Sequence, residues 1–383
     1  MVLVIGTVFV DLVGFAIVLP LLPSYGARYT RSDLAIGILV ASYSLVQLLL
    51  APWWGRLSDR IGRRPVVLVG LVGSSLSYLL FAWAGSFTLL LVSRIVAGAT
   101  GATVSVAQAS LADGTPPERR SHMMGLIGAT FGLAFIVGPA LAGITSTIGD
   151  AAPGYLAAAL TGLNGIIAFA LFPETRNDRP IIKEKRQIKW RRLITPYSVI
   201  LFETLAFTVM YAFFTLFAER VLGFGRERIS YFFVYIGVIT AIVQGGLVGR
   251  LVRQLGEVRL MVIGCLLLAV GLGSLPLTVG ESPAWLMPAL LMSLLFVAVG
   301  TGLVTPSAAG LVSRVSSAED QGRALGYLQS TASTARIIGP VAFGVISDLG
   351  GVRAPFMIAA LLALIAMIPA LRAERLDARE RIE

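Results

Sequence analysis

The amino-acid sequence repeats one pattern of turn and hinge residues in its first and second halves. Residues 55–62 (GRLSDRIG) recur in outline as residues 249–256 (GRLVRQLG), 194 residues later. The pair Gly138 and Pro139 recurs as Gly339 and Pro340, 201 residues later. Two landmarks at nearly one spacing indicate two homologous halves, and parallel repeats of this kind in an apolar chain are typical of membrane transporters.

Composition places most of this chain in a membrane. Its 383 residues are 56% hydrophobic and only 14% charged, about half the charged share usual for soluble domains. A helix needs about 20 apolar residues to cross a bilayer, and turn signals divide the longer uncharged runs. We therefore predict an all-α membrane protein with twelve transmembrane helices, spans 1 to 12, at residues 2–25, 34–54, 65–84, 87–109, 121–147, 153–173, 196–218, 229–249, 259–279, 284–310, 323–347 and 353–371.

The distribution of basic residues predicts the orientation of these spans. With the amino terminus inside, the cytoplasmic segments hold 23 of the 31 Lys and Arg residues and the outer segments hold six. This asymmetry satisfies the positive-inside rule with both termini in the cytoplasm. The net charge of +10 is thus explained by insertion into the bilayer, and nucleic acid is not an expected partner.

Several other classes of protein are disfavoured by what the chain contains. Cys265 is the single cysteine and His122 the single histidine, so neither a disulfide framework nor a thiolate metal site is expected. The sequence has no phosphate-binding loop, and its three lysines lie in one basic segment. The first apolar run lacks a basic head and a small-residue cleavage site, and is interpreted as a mature span. We expect a protein that is not an enzyme, needs no cofactor and acts as a monomer.

A basic segment separates the two halves. Residues 174–195 contain eight basic and three acidic residues, and their charge suits an inner leaflet rich in anionic lipid. The predicted organisation is a first bundle at residues 1–173, a cytoplasmic linker at 174–195, a second bundle at 196–372 and a cytoplasmic tail at 373–383 that forms a short solvated helix.

The loop between spans 2 and 3 carries the strongest motif. Residues 55–64 (GRLSDRIGRR) resemble the Gly-x-x-x-Asp-Arg-x-Gly-Arg-Arg/Lys signature of the major facilitator superfamily. The resemblance implies two pseudo-symmetric six-helix bundles, with substrate bound between the halves. The glycines allow a tight turn, and Asp59 can face the positive end of a neighbouring helix, whereas the second copy has Arg253 there. The implied gating residues are Gly55, Asp59, Arg60, Gly62, Arg63 and Arg64.

Three further motifs resemble those of drug:proton antiporters within that superfamily. Span 1 contains a Gly-x5-Pro-x-x-Pro element that follows Asp11, and span 4 contains an Arg94 motif. Span 5 contains a Gly-x5-Gly-Pro-x3-Gly run. Because proline removes a backbone hydrogen bond, span 5 is expected to be bent or bendable, as is its copy in span 11. The predicted hinge residues are Gly138, Pro139, Gly339 and Pro340.

Four ionisable groups lie inside the predicted spans. Burying a charge in hydrocarbon is costly, so Asp11, Arg94, Glu203 and Arg336 are expected to face a cavity or a partner. We predict that Asp11, Glu203 and Arg94 couple transport to protons. Asp11 is the preferred carrier, and Arg94 tunes the field because it does not lose its proton usefully. Glu203 could instead lie at the cytoplasmic rim, and Arg336 could bind substrate or pair with Glu203.

Polar and aromatic side chains on the spans are candidates to line a cavity at the middle of the membrane, although most of them taken singly are packing groups. Together with Arg336, these candidates are Tyr43, Gln47, Gln108, Asn164, Phe207, Tyr211, Tyr235, Gln244, Tyr327 and Gln329.

The resemblance predicts proton-coupled export of small hydrophobic compounds or drugs, by rocking of the halves about the substrate. The sequence is similar to the tetracycline-resistance and multidrug branch, but span 9 (residues 259–279) has no acid where tetracycline exporters are expected to carry one. Tetracycline is therefore disfavoured as the substrate. An exporter of a sugar, a lipid or an anionic metabolite is the alternative. A non-transporting receptor on the same fold is disfavoured, because it would need neither the membrane carboxylates nor the gating motif.

Overall fold

The computed structural model describes residues 2–101, 103–113, 115, 117–174, 190–280, 283–316 and 320–380. Every regular element within these residues is a helix. In the first half the helices are α1 (Val2–Val18), α2 (Leu22–Gly26), α3 (Asp33–Ile61), α4 (Arg63–Ala82), α5 (Phe87–Thr100), α6 (Thr103–Asp113), α7 (Pro117–Ser146) and α8 (Ala152–Leu171). In the second half they are α9 (Trp190–Val209), α10 (Thr215–Arg220), α11 (Arg226–Ile242), α12 (Val248–Leu255), α13 (Glu257–Ser274), α14 (Pro283–Val315), α15 (Gln321–Gly350) and α16 (Ala354–Glu380).

The predicted all-α membrane architecture is confirmed. Within the described ranges, nine helical segments are long and apolar enough to cross a membrane. Two shorter apolar helices, Val2–Val18 and Thr130–Ser146, coincide with spans 1 and 5. Span 11 lies on α15, whose polar content includes Arg323, Arg336 and Asp348. The number twelve stays a prediction.

Two interruptions in the long helices follow from local chemistry. Span 1 is broken between α1 and α2 at residues 19–21, where Pro20 removes a backbone donor. Span 7 contains a π-helical turn at Met210–Phe214, and span 8 contains another at Val243–Leu247. Such turns in otherwise α-helical segments are frequent at functional sites.

Contacts divide the chain into two compact units. The first comprises Met1–Ile181 and Gly223–Val234, and the second comprises Ile182–Leu222 and Tyr235–Glu383. The start of α11 therefore belongs by contact to the first unit, although it follows span 7 in sequence.

Helix α9 begins inside the predicted linker, whose bounds stay a prediction. Its first residue is Trp190, within residues 174–195, and Leu193 is already buried in the apolar core of the second unit. Residues 175–189 lie outside the described part of the chain. The predicted tail continues α16 as far as Glu380, and residues 381–383 again lie outside it.

Glycines make equivalent close helix contacts within the two units. A Cβ atom on Gly70 of α4 would lie 2.7 Å from Thr103 Oγ1, and one on Gly264 of α13 would lie 2.6 Å from Val304 Cγ2. Gly70 and Gly264 are 194 residues apart, and Thr103 and Val304 are 201 apart. The spacings of the sequence repeat are therefore also the spacings of equivalent helix packing.

Candidate functional site

Asp11 lies on the buried side of α1, among hydroxyl groups. The residue is 9% exposed, and its Oδ1 atom has no hydrogen-bond partner among the described residues. Ser74 of α4 and Thr103 of α6 are the hydroxyl neighbours of the carboxyl group, and Thr103 Oγ1 is itself buried without a hydrogen-bond partner among the described residues. Tyr78 lies within electrostatic range of Asp11. The structure therefore gives this acid polar neighbours and no ion-pair partner within the described chain.

Arg94 of α5 is held by aromatic rings. It is 2% exposed, and its guanidinium carbon lies 5.9 Å from the Tyr78 ring centroid and 5.6 Å from the Phe81 centroid. Its Nε donates to Ser93 Oγ over 3.2 Å, while Nη2 is buried without a partner among the described residues. No ion pair joins Arg94 to Asp11 in this part of the chain, and Tyr78 is a neighbour of both groups.

Glu203 of α9 is buried and bonded to two hydroxyl groups. The residue is 2% exposed. The Thr301 hydroxyl of α14 donates to Glu203 Oε1 over 2.6 Å, and the Thr204 hydroxyl donates to Oε2 over 3.2 Å. Its burial disfavours the alternative of an exposed position at the cytoplasmic rim.

The predicted pairing of Arg336 with Glu203 is wrong as a direct salt bridge. Arg336 Nη2 donates to Ser333 Oγ on its own helix over 2.9 Å, and no ion pair joins it to Glu203 among the described residues. Both groups lie within electrostatic range of Tyr211. Thr301 and Thr204 satisfy the carboxyl oxygens of Glu203, so an arginine is not required there.

The structure brings some predicted cavity residues together and leaves others apart. Gln47 Nε2 donates to the Gly101 carbonyl over 2.8 Å and to Tyr43 Oη over 3.2 Å. Phe207 packs edge-on against Tyr211, with ring centroids 6.4 Å apart. Asn164 is a packing residue, because its Nδ2 donates to the Thr7 carbonyl over 2.9 Å in a buried contact. Tyr235 is half-buried, and four candidates are exposed: Gln108, Gln244, Tyr327 and Gln329.

Arg63 is the centre of the predicted gating loop. Its guanidinium group lies 2.7 Å from Asp59 Oδ1 and 3.0 Å from Asp113 Oδ2, and donates to Ser58 Oγ over 2.6 Å. The Arg63 side chain is only 13% exposed. Asp113 closes α6, so this arginine joins the end of α3, the start of α4 and the end of α6. The capping of another helix by Asp59 stays a prediction.

The start of α4 is capped by Glu174, immediately after α8. The backbone N–H groups of Arg63 and Arg64 donate to the Glu174 carboxylate over 2.9 and 3.2 Å. Gly62, with φ of +103°, precedes them, and a Cβ atom there would overlap with Glu174 Oε2. A carboxylate at a helix amino terminus satisfies free donors and the helix dipole. Arg60 is exposed, and Gly55 lies within α3, where the space for a Cβ atom is open.

The second unit carries an equivalent ion pair with its signs reversed. Glu257 follows Gly256 at the start of α13, and its Oε2 lies 3.1 Å from Arg314 Nη2 near the end of α14. Glu257 is 194 residues after Arg63, and Arg314 is 201 residues after Asp113. The acid thus sits at the helix start in the second unit and at the helix end in the first.

The predicted hinge positions are sites of close packing in unbroken helices. Helix α7 runs through Gly138 and Pro139, and α15 runs through Gly339 and Pro340. A Cβ atom on Gly138 would overlap with Ala16 Cβ, and one on Gly339 would overlap with Thr208 Oγ1. Each glycine therefore lets its helix approach the first helix of its own half.

Sequence reasoning missed the groups that accompany the predicted site. The hydroxyl neighbours of Asp11 and Glu203 are single Ser and Thr residues in apolar spans, which carry little signal alone. The repeat gives no signal for them either, because the position 201 residues after Thr103 is Val304. The same offsets would have related the pair Glu257 and Arg314 to the gating loop.

Comparison with protein families gives a match over nearly the whole chain. The family model described as Major Facilitator Superfamily matches residues 4–295 and 248–382.

Curated bacterial proteins are similar over most of their length. The tetracycline resistance protein of class E from Escherichia coli is 33% identical over 353 residues, covering 88% of this chain and 85% of that protein. The class B protein from Escherichia coli is 30% identical over 351 residues, with the same coverage. Multidrug resistance protein 2 of Bacillus subtilis (strain 168) is 26% identical over 384 residues, covering 96% of this chain and 93% of that protein.

Solved structures share the fold. A D-xylose-proton symporter matches with a TM-score of 0.80 at 16% identity, covering 96% of each chain. The human organic anion transporter MFSD10 matches with a TM-score of 0.72 at 24% identity, covering 96% of this chain and 98% of that one. These identities support a common fold and carry no argument about substrate. The family match and the relatives at 30–33% identity lead to one conclusion: the chain belongs to the Major Facilitator Superfamily.

Proposed function

We propose that this protein is a secondary transporter that exports small hydrophobic compounds or drugs in exchange for protons. The observation that carries the proposal is Asp11, a buried acid among hydroxyl groups with one carboxyl oxygen unpartnered among the described residues. The tetracycline and multidrug resistance names of the relatives support drug export. The protein works as a transporter rather than an enzyme, and alternating access moves the substrate.

Proton exchange at Asp11 follows from its surroundings. An ionised carboxylate in an apolar interior is costly unless it is compensated, and a proton removes that charge. Hydroxyl groups suit both states, since they donate to a carboxylate and accept from a carboxylic acid. Arg94 has a supporting role in this proposal, because its fixed positive charge lies beside Tyr78, a residue that is also a neighbour of Asp11.

Replacing Asp11 with Asn tests the proposal. In inverted vesicles, Asp11→Asn should abolish uptake driven by a pH difference while leaving substrate exchange without a gradient largely intact. A fluorescent lipophilic cation serves as the transport probe. The exposed acid Glu227 provides the matched control, and Glu227→Gln should transport like wild type. Vesicles of Asp11→Asn that still concentrate a probe under a pH difference would show the assignment to be wrong.

The substrate proposal is hydrophobic drugs other than tetracycline. Glu257 lies at the start of α13 and pairs with Arg314 of α14. Residues 259–279, which form span 9, contain no acid, although tetracycline exporters are expected to carry one there. Export of a sugar, a lipid or an anionic metabolite is less supported, because Arg336 donates to Ser333 on its own helix. Ligand-induced thermal stabilisation across drugs, sugars and organic anions distinguishes these classes. Stabilisation by an anion or a sugar alone would overturn drug export.

The remaining proposals concern the membrane, the orientation, the oligomeric state and the partners of the protein. We place the protein in the bacterial inner membrane as a monomer, with both termini cytoplasmic and with the lipid bilayer, protons and the exported compound as its partners. The distribution of arginine and lysine supports this orientation. Labelling of a cysteine introduced at Asp150 by an impermeant reagent should occur from the outer side, and labelling from the inner side would reverse the orientation.

A further inference from the structure

The first helix of each half carries a buried acid at an equivalent position. The close contacts of Gly138 with Ala16 and of Gly339 with Thr208 relate the two first helices. Ala16 and Thr208 are 192 residues apart.

The same 192-residue step carries Asp11 onto Glu203. It also carries Phe15 onto Phe207. The packing therefore aligns α1 with α9 at an offset of 192 residues. In this alignment Asp11 corresponds to Glu203, and Phe15 corresponds to Phe207. The offsets of 194 residues in the loops and 201 residues in spans 5 and 11 do not give this match, which is why the sequence repeat alone did not show it.

The chemical surroundings of the two acids are alike in kind, although they are not related position by position. Thr103 of span 4 is a hydroxyl neighbour of Asp11, and Thr301 of span 10 donates to Glu203, whereas the 201-residue offset relates Thr103 to Val304. Each has a second hydroxyl neighbour, Ser74 for Asp11 and Thr204 for Glu203. Neither acid has an ion-pair partner within the part of the chain that the structure describes.

The ionisable groups around Glu203 are few. The Cys265 thiol of α13 and the Tyr211 phenol lie within electrostatic range of Glu203. Arg336 of α15 lies in range of Tyr211 and donates to Ser333. Helix α14 has no ionisable residue before Arg314, and α16 has none before Arg372. Among the described residues in range of these groups, Glu203 is therefore the acid that a proton can neutralise.

Asp11 has a comparable set of neighbours. Tyr78 of α4 lies in range of Asp11, Tyr43 of α3 and Arg94 of α5. Helix α7 has no Asp, Glu, Lys, Arg or His after His122, and α8 has none at all. The arginines of the two units are not equivalent, because the position 201 residues before Arg336 is Phe135. The carboxyl groups are thus the shared feature of the two sites.

We propose that Glu203 is a second proton-binding site, equivalent to Asp11, and that Thr301 positions its carboxyl group. Each carboxylate takes one proton from water and returns it, so the protein binds two transported protons, one in each unit. The inference rests on the proposed function in that Asp11 is the first site. The short contact from Thr301 holds one carboxyl oxygen of Glu203 and leaves the other with the weaker contact to Thr204 for the proton.

Infrared difference spectroscopy of the full chain in lipid vesicles tests the proposal without a substrate. Two carbonyl bands of protonated acids in apolar surroundings should appear and disappear with pH. Asp11→Asn should remove one band and Glu203→Gln the other, each leaving its counterpart. In the wild-type protein, carboxyl ¹³C-labelling of glutamate should shift only the Glu203 band, so the test does not depend on a variant that folds.

Thr301→Val tests the positioning residue. Loss of the 2.6 Å hydrogen bond should shift the frequency of the Glu203 band and leave the Asp11 band in place. Thr240→Val is the matched control, because Thr240 donates to the Ala298 carbonyl over 3.3 Å and not to a carboxyl group. An identical spectrum for Thr301→Val and Thr240→Val would remove Thr301 from the site.

The outcomes separate the two proposals. A wild-type Asp11 band that titrates, with no glutamate band sensitive to ¹³C, would overturn the second site and leave proton-coupled export standing. A wild-type protein with no titrating Asp11 band would overturn the proposed function itself. Two bands that disappear separately in the two variants are the expected result.

Discussion

Asp150, in the short connection between α7 and α8, is the anion shared by two arginines. Arg28 makes two contacts of 2.7 Å to its carboxylate, and Arg226 makes one of 2.5 Å. Both guanidinium groups lie beside the Tyr25 ring, with their carbon atoms 4.9 and 5.1 Å from its centroid. The hydrogen bond from Arg28, and then that from Arg226, lower the pKa of Asp150 to about 2. This acid fastens the start of α11 to the first unit.

Asp150→Asn should lower thermal stability in a pH-dependent manner. The folded pKa of about 2 is below the ordinary value of 3.8, so the stabilisation is complete above about pH 5 and is lost as the pH falls through about 2. Because the carboxylate is 56% exposed, solvent screening limits the effect to roughly 1 kcal/mol. Melting curves of the two proteins should differ by a constant amount at neutral pH and converge in acid.

Arg228→Gln is the control for this measurement. Arg228 is a nearby arginine that packs on the Phe224 ring, with its guanidinium carbon 5.1 Å from the centroid. Its variant should keep the wild-type dependence on pH. A difference between Asp150→Asn and wild type that persists unchanged at the lowest pH would mean that the ion pairs contribute nothing.

The turn before α4 requires glycine at position 62. Gly62 has a positive φ, and Glu174 occupies the space that a Cβ atom would need. At the equivalent turn before α13, Gly256 has φ of +78° but nothing lies within 4 Å of the Cβ position. Gly55 is in the body of α3, where the Cβ position is also open. The three glycines of one repeated motif therefore carry different constraints.

Alanine at these three positions should give a graded series of stabilities. Gly62→Ala should be the most damaging, because roughly 1–3 kcal/mol of backbone strain adds to the displacement of the Glu174 cap. Gly256→Ala should carry the strain alone. Gly55→Ala should be neutral or stabilising, since alanine is favoured over glycine inside a helix by about 1 kcal/mol. Chemical or thermal unfolding in detergent measures all three.

Glu174→Gln separates the two effects at Gly62. The amide keeps the hydrogen-bond acceptor but loses the charge, so this variant should weaken the helix cap by about 0.3–1 kcal/mol. If Gly62→Ala and Gly256→Ala prove equally destabilising, the contact with Glu174 has no energetic role.

Across the whole molecule, the sequence predicted the helical architecture, but it did not predict the side-chain contacts of the site. The apolar runs and the repeat predicted an all-helical membrane protein and the major facilitator family, because spacing and hydropathy are properties of the chain itself. The partner of Glu203 was not predicted, because Thr301 lies 98 residues away and a threonine in an apolar span has no distinctive pattern. The close packing at Gly138 and Gly339 depends on which helices are neighbours.

In the ion pair of the second unit, losing the arginine and losing the acid should have different costs in stability. Glu257 is 9% exposed and Arg314 is 63% exposed. Arg314→Gln should cost about 2 kcal/mol, because it leaves a buried carboxylate uncompensated. Glu257→Gln should cost under about 1 kcal/mol, since the released arginine is solvated. The double variant should be more stable than Arg314→Gln alone, as judged by thermal unfolding.

Arg353→Gln is the matched control, since Arg353 is an arginine in the connection between α15 and α16 of the same half. It should unfold like wild type. Equal costs for Arg314→Gln and Glu257→Gln would show that burial of the acid does not govern the pair.

The equivalence of Asp11 and Glu203 has a consequence for the energy source of export. A cycle that loads and empties both carboxyl groups in exchange for one neutral molecule carries two positive charges inward. Each charge gains about 2.3 kcal/mol per 100 mV of membrane voltage, so two gain about 4.6 kcal/mol. At about 1.4 kcal/mol per tenfold ratio, voltage alone would sustain a gradient of more than a thousandfold. A cell in an alkaline medium, with no useful pH difference left, would still expel the compound.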